Sequence, residues 1–99
     1  MTVLWSLTTT IDGRVDTIID TAEGHENAVT AVLAATLDAM HDARIDELPQ
    51  APRYELRADG DLVALIQTGT DEAGRADHAE AAALIQRIEA ARSLSVSPR

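Results

Sequence analysis

Three histidines, each beside a carboxylate, are the side chains best suited to chemistry. They are His25, His41 and His78. An imidazole next to an acid suits acid–base catalysis or the binding of a divalent metal. His25 and His78 fall near the starts of two predicted helices, so a twofold arrangement of those helices would bring them together. The sequence favours the simpler interpretation, in which all three are solvated residues at helix ends.

A second candidate cluster is a run of aspartates four residues apart, Asp38, Asp42 and Asp46. They line one face if the helix that carries them continues through Asp46. Asp38 and His41 also have a spacing at which both could reach one divalent ion. Like charges at this spacing repel, and metal sites usually take ligands from more than one element. We therefore expect a solvated acidic face, and a cationic protein surface rather than a metal as its ligand if it has one.

Composition excludes several kinds of site. The chain has no cysteine, which removes disulfides, thiolate metal sites and cysteine nucleophiles. No segment matches a phosphate-binding loop, a dinucleotide fingerprint, a nucleophile elbow or a two-histidine zinc helix. The net charge of −9 argues against direct binding of nucleic acid. We predict no cofactor and no metal.

The charge is concentrated in the first half of the chain. Residues 1–50 contain nine acidic residues and two arginines, whereas residues 51–99 contain eight acidic residues and six arginines. The acidic half would attract a cationic partner through its field. The N-terminus lacks a basic segment followed by an apolar run, and no stretch is long and apolar enough for a membrane span. We expect a cytoplasmic location with no membrane contact.

The elements that must position these residues form an internal repeat. Residues 11–15 align with residues 58–62, and each segment contains Asp-Gly between strand-like residues. A helix-like stretch follows each pair of strands, from about residue 26 to 44 and from about residue 77. The pattern predicts one α+β domain over residues 1–92, with repeat halves at about 1–48 and 52–92. Its two layers are a four-stranded antiparallel sheet and two helices on one face, with a flexible tail at 93–99.

The register of the hairpins decides which side chains share a face. A two-residue turn at Asp12 and Gly13 would pair Trp5 with Asp20 and set carboxylates on the apolar face. We therefore predict three-residue loops at 11–13 and 58–60. These pair Trp5 with Ile19, Tyr54 with Ala64, Leu56 with Leu62 and, on the outer face, Arg57 with Asp61. Both aromatic side chains then point into the core.

In this register, apolar side chains also lie on the sheet face away from the helices. The residues predicted there are Leu4, Ile18, Val63 and Leu65, beside Thr8, Thr10, Asp16, Asp20, Arg53 and Arg57. The run 62–66 is apolar on both faces, as expected for a strand that is covered on both sides. An apolar patch with a charged rim is typical of an interface. We expect a second copy, a different protein or the C-terminal tail to cover it, and simple exposure is the remaining alternative.

These patterns predict a non-enzymatic, acidic protein-interaction module. Its size and charge are compatible with immunity proteins, antitoxins and phage-encoded inhibitors. We expect a homodimer and a protein partner, which would be basic if it binds the acidic half. The predicted partner-binding residues are Leu4, Asp16, Ile18, Asp20, Val63, Leu65, Asp38 and Asp42. The alternative is a small dimeric enzyme or ligand-binding protein that uses His25 and His78.

Overall fold

The computed structural model describes residues 1–45 and 50–95. The strands and helices follow one another as β1 (Thr2–Ile11), β2 (Arg14–Glu23), α1 (His25–Ile45), β3 (Arg53–Ala58), β4 (Asp61–Gln67) and α2 (His78–Ser95). The four strands form one antiparallel sheet in the order β2-β1-β3-β4. The predicted α+β fold with its ββα-ββα repeat is confirmed.

Both helices pack on one face of the sheet. α1 contacts β1, β2 and β3, whereas α2 packs against α1 and contacts β4. The core between the layers takes alternate strand residues and one stripe from each helix, as their periods of about 2 and 3.6 residues require. Its fully buried members include Leu7, Leu33, Leu56 and Ile85, with Tyr54 also fully enclosed. Trp5 is buried there as well, so both aromatic residues point inward as predicted.

The predicted register of the first hairpin is wrong. β1 and β2 are joined by a two-residue turn, with Ile11 opposite Arg14 and Trp5 opposite Asp20. Asp12 and Gly13 both have positive φ, at 49° and 81°, the conformation of a type I′ turn, for which Asp-Gly is a preferred sequence. The two-residue turn is tolerated because β2 is an edge strand. Asp20 stays exposed on the helix side instead of entering the core.

The second hairpin uses the same turn, so its predicted three-residue loop is also wrong. Asp59 and Gly60 have φ of 54° and 82°, and Ala58 lies opposite Asp61. The register then shifts between Leu56 and Arg57, which leaves Val63 as an extra residue in β4. The two-residue turn places Arg57 opposite Leu62 instead of Asp61, and beyond the bulge Leu56 lies opposite Ala64 and Tyr54 opposite Ile66.

The ends of the helices follow local capping chemistry. The backbone N–H of Glu80 donates to the carboxylate of Asp77 at 3.1 Å, which makes Asp77 the N-cap of α2. α2 continues to Ser95, so the first three residues of the predicted tail are helical, and residues 96–99 lie outside the described part of the chain. Asp46 also lies outside it. Within the described ranges, neither helix is apolar enough over a sufficient length to cross a bilayer.

Candidate protein-binding surface

The sheet face away from the helices is open. Because directly opposed residues of an antiparallel pair share a face, the register assigns even-numbered residues of β1 and odd-numbered residues of β2 to this open face. Five apolar side chains on it are between 50% and 64% exposed: Leu4, Val15, Ile19, Leu62 and Leu65. No element among residues 1–45 and 50–95 covers them. We call these side chains, with the polar residues between them, the open face.

Polar side chains divide the apolar part of the open face. Val15, Ile19 and Leu4 lie at the β1–β2 side, and Leu62 and Leu65 lie on β4. Between them β3 presents Arg53, Glu55 and Arg57, and the Arg57 guanidinium donates to the Glu55 carboxylate at 2.9 Å. The hydroxyls of Thr8 and Thr17 form a cross-strand hydrogen bond of 3.1 Å. The open face therefore offers two apolar stripes with fixed polar groups between them.

The structure separates the predicted partner-binding residues into four groups. Leu4 and Leu65 lie on the open face. Val63 does not: at the bulge it packs against the core cluster, which corrects the prediction that it points outward. The β2 residues Asp16, Ile18 and Asp20, also predicted on the outer face, are even-numbered and lie on the helix side, while remaining exposed.

Asp38 and Asp42 form the fourth group. Both are exposed on α1. One side of α1 meets α2 through Glu26 and Thr30 with Arg92, and His41 lines a cavity together with His78. At 100° per residue, Asp38 and Asp42 are turned about 90° and about 130° from this side, and both point away from the buried stripe of the helix. They therefore face solvent over the helix layer.

The exposed carboxylates of β2 and α1 lie on the helix side of the sheet. β2 and α1 meet at Gly24, and α1 covers β2 only at Ala22, near this junction. We call Asp16, Asp20, Asp38 and Asp42 the acidic flank. None of the four forms an ion pair with a described residue.

The histidines do not come together as the twofold hypothesis required. The helices are antiparallel, because Arg92 near the end of α2 donates to Glu26 at the start of α1 at 2.9 Å. His25 and His78 therefore lie at opposite ends of the helix pair. The Nδ1 atom of His25 is 4.0 Å from a carboxylate oxygen of Asp59, whereas His78 shares a cavity of about 200 Å³ with His41. In the described ranges, no three acidic or histidine side chains converge to hold a metal ion.

Two groups outside these surfaces have shifted pKa values. Burial raises the pKa of Tyr54 from 10.0 to about 12. A hydrogen bond from the Thr2 hydroxyl, with a smaller contribution from the N-terminal amine 3.3 Å away, lowers the pKa of Glu23. Both are consequences of local structure, since Tyr54 packs in the core and Glu23 ends β2 beside the start of β1.

Sequence reasoning missed Val15, Ile19 and Leu62 as members of the open face. The signal that would have found Val15 and Ile19 is the Asp-Gly dipeptide, which favours a two-residue type I′ turn over a three-residue loop. The same turn in the second hairpin places Leu62 opposite Arg57 on the open face. The local preference of the turn was thus more informative than the match of apolar residues across the strands.

Comparison with known proteins finds no family model that matches the chain and no significant match among curated proteins or solved structures. The assignment of function therefore depends on the surfaces themselves, the open face and the acidic flank.

Proposed function

We propose that this chain is a non-enzymatic module that binds a partner protein through the open face. The observation that carries the proposal is the exposure of five apolar side chains on one uncovered sheet face. Burial of apolar surface contributes about 25 cal/mol per Å², so this face offers a driving force for association. An antiparallel sheet that only faces water is expected to be polar on that side.

The acidic flank supplies the second part of the proposal, the charge of the partner. The chain carries a net charge of −9, and the four carboxylates of the flank form no ion pair with a described residue. A partner with a basic surface next to an apolar patch complements both features. Long-range attraction of this kind accelerates encounter and weakens as salt is added.

The test compares capture of a partner by the wild type with capture by Leu4→Asp/Leu65→Asp. Both side chains are at least half exposed, so the variant charges the open face without entering the core. The matched control is Ile45→Asp/Ala90→Asp, which adds the same charge at exposed helix positions. We expect the control to bind like the wild type and the open-face variant to lose the partner.

The captured partner is then purified and its association rate with this chain is measured at rising salt. The proposal requires a rate that falls at least tenfold between about 0.01 M and 0.5 M salt, as expected for electrostatic steering. A rate that does not respond to salt would remove the acidic flank from the proposal. Capture that survives Leu4→Asp/Leu65→Asp, or a wild type that only associates with itself, would overturn the open face as the binding surface for a different protein.

A further inference from the structure

We infer that the partner contributes an extended segment that pairs with the free edge of β2 as a fifth strand, and that this segment alternates apolar and basic residues. The inference deepens the proposed function, since it assumes that a partner protein exists. It rests on the backbone of β2 and on the side chains of its two faces, among them the carboxylates Asp16 and Asp20 of the acidic flank.

The backbone of β2 has a row of groups that no strand satisfies. Ile11 and Arg14 close the two-residue turn, which makes them a hydrogen-bonded pair, and such pairs then alternate along the ladder. Even-numbered residues of β2 therefore bond β1, and the N–H and C=O of Val15, Thr17, Ile19 and Thr21 point to the free edge. On β1 the same parity directs the carbonyl of Leu4 away from β2, where it accepts from the N–H of Asp59 at 2.7 Å.

The two edges of the sheet differ in how well they can receive a strand. β2 has ten residues, all paired to β1 in one register, with no proline and no bulge. β4 has seven residues, and the bulge at Val63 interrupts its register. Bulges and short lengths protect edges from pairing, whereas a long regular edge is a template for another strand. Of the two, β2 is the edge suited to β-strand addition.

The side chains of β2 define what the added strand must carry. Residues directly opposite each other share a face. Positions opposite Val15 and Ile19 lie on the open face, where apolar side chains extend its apolar stripe. Positions opposite Asp16 and Asp20 lie on the helix side, where the positive charge of arginine or lysine complements the two carboxylates. An added strand with apolar and basic residues at alternate positions satisfies both faces at once.

The same charges disfavour the other occupant, a second copy of this chain. A second β2 would bring its own aspartates to the same side of the extended sheet, and each copy carries a net charge of −9. Like charges across neighbouring strands are destabilising. Carboxylates on an edge strand therefore favour a basic strand over an acidic one.

The probe is the capped peptide Val-Arg-Val-Arg-Val-Arg-Val, added to the full-length protein. Its matched control is Val-Val-Arg-Arg-Arg-Val-Val, which has the same composition and charge without the alternation. We expect the alternating peptide to shift the amide resonances of Val15, Thr17, Ile19 and Thr21 and to slow their hydrogen exchange. The control peptide should bind at least about tenfold more weakly, because half of its side chains meet the wrong face.

Two variants separate the backbone from the charge. Ile19→Pro removes one edge-facing N–H, and proline is tolerated at such edge positions. We expect it to abolish binding of the alternating peptide. Asp16→Asn/Asp20→Asn keeps the shape of the strand and should weaken binding by about three- to tenfold, as expected for two exposed ion pairs. Glu72→Gln/Glu89→Gln removes two charges far from β2 and should leave binding within twofold.

Equal binding of both peptides, shifts that map to β4, or unchanged binding by Asp16→Asn/Asp20→Asn would each overturn the inference. The aspartate variant keeps the test valid if Ile19→Pro does not fold. The test also distinguishes this inference from the proposed function. A captured partner that is lost by Leu4→Asp/Leu65→Asp but retained by Ile19→Pro would leave the open face as the binding surface and eliminate the added strand.

Discussion

Two leucines on neighbouring strands provide a direct test of which sheet face is covered. Leu56 of β3 is fully buried beneath the helices, whereas Leu65 of β4 is 50% exposed on the open face. Truncation of each to alanine removes the same atoms from opposite sides of the sheet. The two changes should therefore have very different effects on the free energy of unfolding.

The expected magnitudes follow from burial. Leu56→Ala leaves a cavity under α1 and should cost about 2–5 kcal/mol. Burial of one carbon atom contributes about 0.8 kcal/mol to stability. Leu65→Ala removes about three carbon atoms that are only half buried, and it leaves no cavity. Its cost should be about 1 kcal/mol. In urea, at about 1 kcal/mol per M for a domain of this size, the midpoint should fall by about 2 M or more for Leu56→Ala and by about 1 M for Leu65→Ala.

The assay is urea unfolding followed by circular dichroism, at two protein concentrations a hundredfold apart. We expect equal midpoints at the two concentrations and an unchanged slope for the Leu65 variant. If Leu65→Ala costs as much as Leu56→Ala at both concentrations, the face is covered within the chain and the open face does not exist. A cost that appears only at the higher concentration would mean that a second copy covers it.

Three further predictions concern the core, the turn and the pH dependence. Because burial raises the pKa of Tyr54 from 10.0 to about 12, its contribution to stability is complete below pH 10.0 and is lost as the pH rises through about 12, by up to roughly 3 kcal/mol. Urea midpoints measured across that interval should fall less for Tyr54→Phe than for the wild type, and parallel curves would refute the assignment. Gly60→Ala should lower the free energy of unfolding by about 1 kcal/mol because Gly60 has a φ of 82°. Its control, Gly69→Ala, is at a position with no positive φ and with open space around it, and should be nearly neutral. Equal urea midpoints for the two variants would argue against the type I′ turn. Val63→Asp should destabilise the fold by about 1–3 kcal/mol because Val63 packs against the core. A variant as stable as the wild type would indicate that Val63 points to the outer face instead.

The repeat, the two hairpins and the two helices were predictable because their signals are local. Asp-Gly between strand-like residues marks a turn, and apolar residues at a spacing of three and four mark a helix face. The burial of Trp5 and Tyr54 followed from the period of two in their strands. None of these inferences needs to know which strand lies at the edge of the sheet.

The composition of the binding surface was less predictable, because it depends on the register of β2. The sequence argument assumed that β2 must turn one apolar face to the core, and it therefore placed Ile18, Asp16 and Asp20 on the outer face. In the folded chain β2 is an edge strand that α1 covers only at Ala22. Because little of either face of β2 is buried, burial of apolar side chains does not fix the register of this strand. The preference of Asp12 and Gly13 for a two-residue turn then decides the register.

By itself, the sequence determined the order of the elements, the core stripe of each helix, the turns as sites of chain reversal and the excess of negative charge. Tertiary structure decided which residues meet: the bulge takes Val63 into the core, and the antiparallel helices separate His25 from His78. Those outcomes depend on strand order and on packing between segments far apart in the chain. Local periodicity carries no information about either, because the same pattern of apolar residues is compatible with more than one register and more than one partner.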